Sequence, residues 1–132
     1  MAALDSEIVN YEVVPDEFEV ISHKLCEWAD TGETDVIITT GGTGLSQRDV
    51  TPEATAAVIE KVVPGLAEAM RARPLSKTPT SMLSRATAGV RGKCLIINLP
   101  GSPTAVRECL EVVLPAIPHA VDIIKGTVTE HS

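Results

Sequence analysis

The feature that most constrains the fold is the run CLIINL at Cys94–Leu99, whose one strongly polar residue is Asn98. A strand that faces water on one side alternates apolar and polar residues, whereas this run is apolar on both faces, as buried strands of parallel sheets are. Helices are the usual cover for both faces of such a sheet. The run therefore predicts an α/β fold in which a buried strand lies between two helical layers.

Strand-like and helix-like segments alternate over the rest of the chain. Two more strands are predicted, Ile8–Val14 from its β-branched and aromatic residues and Asp35–Thr39 from its apolar run. Apolar spacings of three and four predict an amphipathic helix over Asp16–Asp30, with Asp16 as its N-cap. The other predicted elements are a helix with Thr51 as N-cap and Pro52 at its first position, a second helical piece after Pro64-Gly65 to about Arg73, a mostly irregular segment Pro74–Gly92 with a short helix near Pro79–Ala86, a helix with Ser102 as N-cap, and a helix over Pro115–Lys125. This order predicts one three-layer αβα domain over residues 1–132, with a mainly parallel sheet.

The cysteines and the hydropathy pattern indicate in which cellular compartment the protein is expected. Three cysteines (Cys26, Cys94 and Cys109) lie far apart and form no CxxC pair, which is typical of reduced thiols rather than of a disulfide framework or zinc site. No apolar run approaches the roughly 18–20 residues of a membrane span, and no N-terminal segment has the pattern of a signal peptide. We therefore expect a cytoplasmic protein without a membrane partner.

The charge is acidic overall but unevenly distributed. Eighteen acidic against eleven basic residues give a net charge of −7, which argues against general nucleic-acid binding because that depends on a basic surface. Residues 71–93 nevertheless carry six basic side chains and no acidic one. This stretch is either a solvated basic face or a local site for an anionic ligand.

Two predicted strands end in turns that are suited to binding an anion. The glycines of Gly41–Gly44 allow backbone N–H groups to approach a phosphate, although a tight structural turn accounts for them equally well. Asn98–Ser102 likewise passes from a strand to a helix N-terminus. Because parallel strands end at one edge of a sheet, both turns, Asp16 and Asp49 are expected to converge there. Carboxylates beside phosphate-binding backbone favour Mg²⁺, and helix capping is the alternative role for each.

The sequence has no pattern typical of covalent or histidine-based catalysis. His23, His119 and His131 have no metal-ligand spacing, and neither a Gly-x-Ser-x-Gly motif nor a Cys–His arrangement occurs. These observations favour phosphate chemistry that depends on positioning and electrostatics.

Six segments together resemble the molybdopterin adenylyltransferases, a family that includes the G domain of gephyrin. The segments are VVPDE (13–17), TTGGTG (39–44), RDVTPEAT (48–55), PGLAEAMR (64–71), KTPTSMLSRATAGVRG (77–92) and LIINLPGSP (95–103). They follow the family's order and spacing, and the resemblance extends from Ile8 to Gly126. It implies the molybdopterin-binding fold and an enzyme that transfers AMP from ATP to the phosphate of molybdopterin, with Mg²⁺, and releases pyrophosphate.

The resemblance also implies roles for individual residues. Asp16 and Asp49 match the catalytic aspartates of the family and are the expected Mg²⁺ ligands. Ser84 and Asn98 match residues that contact the pterin. The full set of expected substrate-binding residues is Gly41, Gly42, Thr43, Gly44, Ser76, Lys77, Ser84, Arg85, Asn98, Pro100, Gly101 and Ser102.

The family pattern further implies partners and one departure. A homotrimer is usual in the family, and a molybdate-insertion enzyme or a fused domain is the expected recipient of the product. Family members begin with a strand that ends in Ser-Asp and a loop with Asp-Arg-Ser-Gly, and that strand is expected to be central in the sheet; here Met1–Ser6 precedes the first predicted strand. The alternative function is a non-catalytic domain that binds molybdopterin or a partner protein.

Overall fold

Four strands form one mixed sheet in the computed structural model, which describes residues 7–75 and 79–126. The strands are β1 (Val36–Thr40), β2 (Lys61–Val62), β3 (Ala88–Arg91) and β4 (Cys94–Leu99), in the order β1-β4-β3-β2. β4 pairs with β1 in parallel and with β3 in antiparallel fashion, and β2 pairs with β3 in antiparallel fashion. The predicted α/β class is confirmed, but the described sheet is mixed rather than mainly parallel.

Helices cover both faces of this sheet. They are α1 (Phe18–Asp30), α2 (Thr51–Val58), α3 (Pro64–Leu75), α4 (Pro103–Val113) and α5 (Ile117–Lys125), with 3-10 helices at Pro79–Leu83 and Leu114–Ala116. Helices α1 and α2 pack together on one face, and α3, α4 and α5 lie on the other. No helix among the described residues is long and apolar enough to cross a bilayer.

Strand β4 is the centre of the core, as its sequence predicts. All six of its residues are buried. Cys94 and Ile96 contact the cluster beneath α1 and α2, while Leu95, Ile97 and Leu99 contact the cluster beneath α3, α4 and α5. Full burial of a leucine or isoleucine side chain stabilises a fold by about 1.5–3 kcal/mol, so this strand contributes a large share of the hydrophobic stabilisation.

The prediction that Ile8–Val14 is a strand is wrong. The segment has no regular secondary structure, and Ile8, Tyr11 and Val13 are 85%, 86% and 82% exposed. β-branched and aromatic residues favour a strand only when a neighbouring strand supplies the hydrogen-bonding ladder and a surface to pack on. No ladder in the described part of the chain includes this segment.

The predicted N-caps of two helices are each displaced by one residue. α1 begins at Phe18 after Glu17, so Asp16 is not its N-cap. Val50 rather than Thr51 is the N-cap of α2, because the Val50 carbonyl accepts the first helical hydrogen bond, from the Ala54 N–H at 3.0 Å. α4 begins as predicted: the Ser102 hydroxyl accepts a hydrogen bond from the Ala105 N–H at 3.1 Å.

Two short strands occupy segments that the sequence pattern did not mark as strands. β2 lies just before Pro64 in a predicted helical region, and β3 lies within the segment predicted as irregular. Runs of two and four residues are too short for a detectable period. Their pairing instead depends on Gly89, where an added Cβ would lie 2.6 Å from the Lys61 carbonyl oxygen and 2.5 Å from Ile59 Cδ1.

Candidate functional site

The parallel pair of β1 and β4 brings two strand ends together at one edge of the sheet. The Gly41 N–H donates to the Leu99 carbonyl at 3.0 Å, and a Cβ on Gly101 would lie 3.4 Å from the Gly41 Cα. The glycine turn and the Asn98–Ser102 turn therefore touch, as the sequence predicts. Both continue into helices, which leaves backbone N–H groups near one another.

The glycine turn requires glycine for steric reasons. Gly41 and Gly42 have φ angles of +88° and +71°, a region that other residues rarely adopt. A Cβ on Gly42 would also lie 2.3 Å from Thr51 Oγ1. The turn packs directly against the beginning of α2, which explains its glycine content without excluding a ligand.

Arg85 connects the segment after the 3-10 helix Pro79–Leu83 to the loop after the glycine turn. Its Nε donates to the Gly44 carbonyl at 2.8 Å and its Nη2 to the Asp49 carbonyl at 2.6 Å. Its Nη1 pairs with the Glu53 carboxylate, and its backbone N–H donates to the Thr43 carbonyl at 2.8 Å. Arg85 was predicted to bind substrate, and the structure uses all three of its guanidinium nitrogen atoms for contacts within the protein.

Of the two predicted catalytic aspartates, Asp49 lies in the loop after the glycine turn and Asp16 contacts that loop through Arg48. Asp49 Oδ2 accepts a hydrogen bond from the Ser46 N–H at 3.0 Å, so one carboxylate oxygen stabilises the loop. Asp16 Oδ2 lies 3.5 Å from Arg48 Nη2. The ion pair links Asp16, which precedes α1, to the residue next to Asp49. The strand that was expected to carry Asp16 to the edge of the sheet does not form.

Asn98 has no exposed surface at all. Its Nδ2 donates to Thr39 Oγ1 at 2.9 Å and to Thr55 Oγ1 at 3.0 Å, and its Oδ1 accepts from the Thr87 N–H at 3.2 Å. The side chain thus joins β4 to β1, to α2 and to the segment before β3. Asn98 was predicted to contact the pterin, but its side chain is fully buried and holds together the elements around the site.

A cleft of about 390 Å³ opens beside these turns, between α3, α4 and the 3-10 helix Pro79–Leu83. Four of the predicted substrate-binding residues line it: Gly44, Ser84, Pro100 and Ser102. Its apolar wall includes Met70, Leu83 and Cys109. The Ser102 end of α4 opens into the cleft, and the N-terminus of a helix favours a negatively charged group.

The basic stretch divides between two places rather than forming one patch. Arg71 lines the cleft and donates from Nη1 to the Ala86 carbonyl at 2.9 Å. Arg91 pairs with Cys94 at the opposite end of β4, where its Nε and Nη2 lie 3.0 and 3.1 Å from the Asp30 carboxylate. The Arg91 guanidinium holds the pKa of Asp30 below its ordinary value. Arg91 therefore ties β3 to α1 and has no part in the cleft.

Similarity to known proteins agrees with this arrangement. Residues 1–119 match the model of the family described as "Probable molybdopterin binding domain". The chain belongs to this family. A molybdopterin adenylyltransferase of Helicobacter pylori (strain J99) is 52% identical over 117 residues, which cover 89% of the chain and 66% of that protein.

Two further members extend the comparison. Gephyrin of Dictyostelium discoideum is 50% identical over 119 residues, which cover 90% of the chain and 16% of that protein. The crystal structure of the molybdopterin biosynthesis enzyme MoaB from Thermus thermophilus superposes with a TM-score of 0.85 at 55% identity, covering 91% of the chain and 76% of that structure. The chain spans just under two thirds of the length of the Helicobacter adenylyltransferase.

Some residues of this molybdopterin-binding domain that line the cleft were not predicted from sequence. Ser81, Thr104 and Glu108 lie on its wall. Ser81 falls within the segment KTPTSMLSRATAGVRG but was not singled out, and no motif marks Thr104 or Glu108. Thr104 and Glu108 are four residues apart on one face of α4, a spacing that is also typical of any helix surface. Ser76 and Lys77, which were predicted to bind substrate, lie outside the described residues.

No metal centre made by the protein alone occurs in the described part of the domain. No group of three or more His, Cys, Asp or Glu side chains is placed to hold an ion there.

All three cysteines are free, as predicted. Burial raises the pKa of the Cys94 thiol to about 12 and also raises that of Cys109, so both remain protonated at neutral pH.

Proposed function

We propose that this domain transfers AMP from ATP to the phosphate of molybdopterin and releases pyrophosphate. The observation that carries the proposal is the cleft where two strand–turn–helix connections meet. It has an apolar wall suited to a flat ring and a helix N-terminus suited to a phosphate. The printed name of the Helicobacter pylori relative supports the same activity.

The protein's contribution to such a transfer is positioning and charge stabilisation. Two anionic substrates must approach each other, and bound orientation converts their encounter into a step within one complex. The beginning of α4 would present backbone N–H groups to a phosphate, Gly44 of the glycine turn lines the same cleft, and Ser84 and Ser102 add hydroxyl groups at its wall. Ser102 also keeps the first turn of α4 in place through its bond to the Ala105 N–H.

The aspartates at the loop fit a magnesium ion that arrives with ATP. Mg²⁺ is commonly held by one or two carboxylates together with substrate phosphates. Asp49 Oδ1 has no hydrogen-bond partner among the described residues, and Asp16 is partly exposed nearby. When bound, the ion neutralises charge that develops on the transferring phosphates. Asp49 and Asp16 would hold the ion together with the phosphates of ATP.

We further infer that the domain works as a homotrimer in the cytoplasm. Exposed apolar side chains at Leu45, Val62 and Met82 support association between copies. Free thiols support a reducing compartment. The chain matches 16% of Dictyostelium gephyrin, which supports a fused domain as the recipient of the product. A separate molybdate-insertion enzyme is the alternative recipient.

A non-catalytic molybdopterin-binding domain is the second candidate. The ion pair between Arg48 and Asp16 favours it, because a basic side chain occupies one of the carboxylates that would hold the ion. This candidate predicts saturable binding of molybdopterin without turnover of ATP.

The test measures pyrophosphate release with ATP, Mg²⁺ and molybdopterin, and molybdopterin binding in parallel. We expect turnover in the wild-type protein and a loss of about 10²–10³-fold in Asp49→Asn, with little change in pterin affinity, because the lost interaction belongs to the transition state. Glu33→Gln is the matched control, since Glu33 is exposed between α1 and β1. Binding without turnover in the wild type would support the second candidate, and full activity of Asp49→Asn would exclude the metal-holding role.

A further inference from the structure

The loop from Gly44 to Asp49 has little intrinsic rigidity. Its own hydrogen bonds are local: Asp49 N–H to the Ser46 carbonyl, Ser46 N–H to Asp49 Oδ2, and Arg48 N–H to Ser46 Oγ. Leu45 is 66% exposed and therefore provides little anchoring by burial. Such a loop folds back on itself but needs contacts from elsewhere to take a fixed position on the protein.

Besides the exposed ion pair between Arg48 and Asp16, Arg85 supplies such contacts at both ends of the loop. Its Nε holds the carbonyl of Gly44, and its Nη2 holds the carbonyl of Asp49. These are two points on the main chain, separated by the whole loop and spanned by a single planar group. A lysine ammonium carries three donors on a single nitrogen, so it cannot reproduce the spacing and direction of these two bonds, which the planar fork of the guanidinium matches.

Glu53 fixes the orientation of the fork in turn. It lies in the first turn of α2 and pairs with Arg85 Nη1. That hydrogen bond is also the main reason why the pKa of Glu53 lies below its ordinary value. The guanidinium therefore connects three parts of the chain, namely the loop, the beginning of α2 and the segment that carries Ser84.

We infer that Arg85 is a positioning residue, which fixes the main chain of Asp49 and thereby the site that Asp49 serves, rather than a residue that binds substrate through its charge. The expected effect of Arg85 on turnover rests on the proposed transfer of AMP. Its effect on the position of the loop does not, and that effect can be measured without any ligand.

The first test is amide hydrogen exchange on the full chain. Arg85→Lys keeps the positive charge and removes the fork, so the Ser46 and Asp49 amides should exchange about 10-fold faster or more, while amides of β4 keep their rates. Arg107→Lys on α4 is the matched control, because Arg107 is exposed outside the loop contacts. Unchanged exchange at Ser46 and Asp49 in Arg85→Lys would overturn the inference, whether or not the protein transfers AMP.

The second test separates positioning from binding. We expect Arg85→Lys to lower kcat by about 10²-fold and to leave KM for ATP and molybdopterin within about threefold, because a small displacement of a reacting group affects the transition state most. Glu53→Gln keeps a hydrogen bond to Arg85 without the charge and should give an intermediate loss. A rise in KM with unchanged kcat would assign Arg85 to substrate binding and overturn the inference. If the wild type shows no turnover, the proposed function fails, and the exchange test alone decides the role of Arg85.

Discussion

At the scale of single residues, the buried amide of Asn98 shows how a polar side chain organises this core. Its three hydrogen bonds reach β1, α2 and the segment before β3 from the middle of a strand that is otherwise apolar. A buried polar group stabilises a fold only when its bonds are made, and here both ends of the amide are paired. A leucine at this position would fill the space but could not align the three neighbours.

We predict that Asn98→Ala lowers the free energy of unfolding by about 2–4 kcal/mol, because it leaves a cavity and deprives the Thr87 N–H and two threonine hydroxyls of their partners. Urea denaturation followed by circular dichroism measures the change. Asn10→Ala is the matched control, since Asn10 is exposed and should change stability by less than about 0.5 kcal/mol. One ordinary hydrogen bond contributes about 1 kcal/mol to stability. If Asn98→Ala lowers the free energy of unfolding by less than this, the amide does not organise the core.

At the scale of secondary-structure elements, ion pairs hold the periphery of the sheet to the helices. Arg91 in β3 forms a two-point contact with Asp30 at the end of α1 and also donates to the Val58 carbonyl at the end of α2. Three elements therefore meet at one guanidinium. The arrangement parallels the one at Arg85, at the other end of the sheet.

This contact predicts a pH dependence with a definite sign. The pKa of Asp30 is lowered, chiefly by its hydrogen bond to Arg91, and that of Glu53 is lowered by Arg85. The ordinary pKa is 3.8 for Asp30 and 4.5 for Glu53. Because the folded-state pKa of each group is lower than this, each carboxylate stabilises the fold at a pH above its ordinary pKa. This stabilisation is lost as the pH falls through the folded-state pKa. The unfolding free energy should therefore fall on acidification below about pH 4.5.

The variant Asp30→Asn tests whether the charge of Asp30 causes this pH dependence. The variant should be less stable than the wild type at about pH 6 and should approach it at about pH 3, because the carboxylate is then increasingly protonated in both states. Urea midpoints at the two pH values give the comparison. A difference between the two proteins that does not depend on pH would contradict a role for the charge of Asp30.

The elements that could be predicted are those whose signal is local. β4 is marked by its own apolar run, and α4 by Ser102 and Pro103 at its beginning. β2 could not be predicted, because it exists through pairing with β3, which is distant in the sequence. β3 could not be predicted either, because its four residues are too short to show a period of their own. Ile8–Val14 has the composition of a strand without a partner in the described sheet, so composition alone gave the wrong answer.

The same distinction applies to the candidate site. The glycine turn and the Ser102 helix start could be recognised from residues that are adjacent in sequence. The roles of Arg85 and Asn98 could not, since they depend on bonds across 41 and 59 positions of the chain. A run of basic residues suggested one patch, but the hairpin of β3 and β4 carries Arg91 to the far end of the sheet.

At the scale of the whole molecule, one part of the surface is unusually apolar. Ile8, Tyr11 and Val13 are each more than four fifths exposed. In addition, β1 lies at an edge of the sheet and has no second partner strand among the described residues. An unpaired strand edge together with exposed apolar residues favours association between chains. The net charge of −7 opposes such association through repulsion.

We predict that Val13→Asp reduces self-association of the chain, because it places a charge in the exposed apolar segment while removing no buried contact. Static light scattering over a range of concentrations measures the effect, and the melting temperature should stay within about 2 °C. Val13→Ile is the matched control and should associate at least as strongly as the wild type. Equal scattering from all three proteins would show that this segment does not drive association.

The order of strands across the sheet also has a kinetic consequence. β3 and β4 are joined by a tight turn at Gly92, so they meet early, at the small entropic cost of a short loop. β1 must find β4 across a long stretch of chain, and such a distant pairing is slow. The bond between Gly41 and Leu99 completes that pairing. We therefore expect the edge that carries the glycine turn to assemble after the β3–β4 hairpin, so that the site forms only once its core strands are paired.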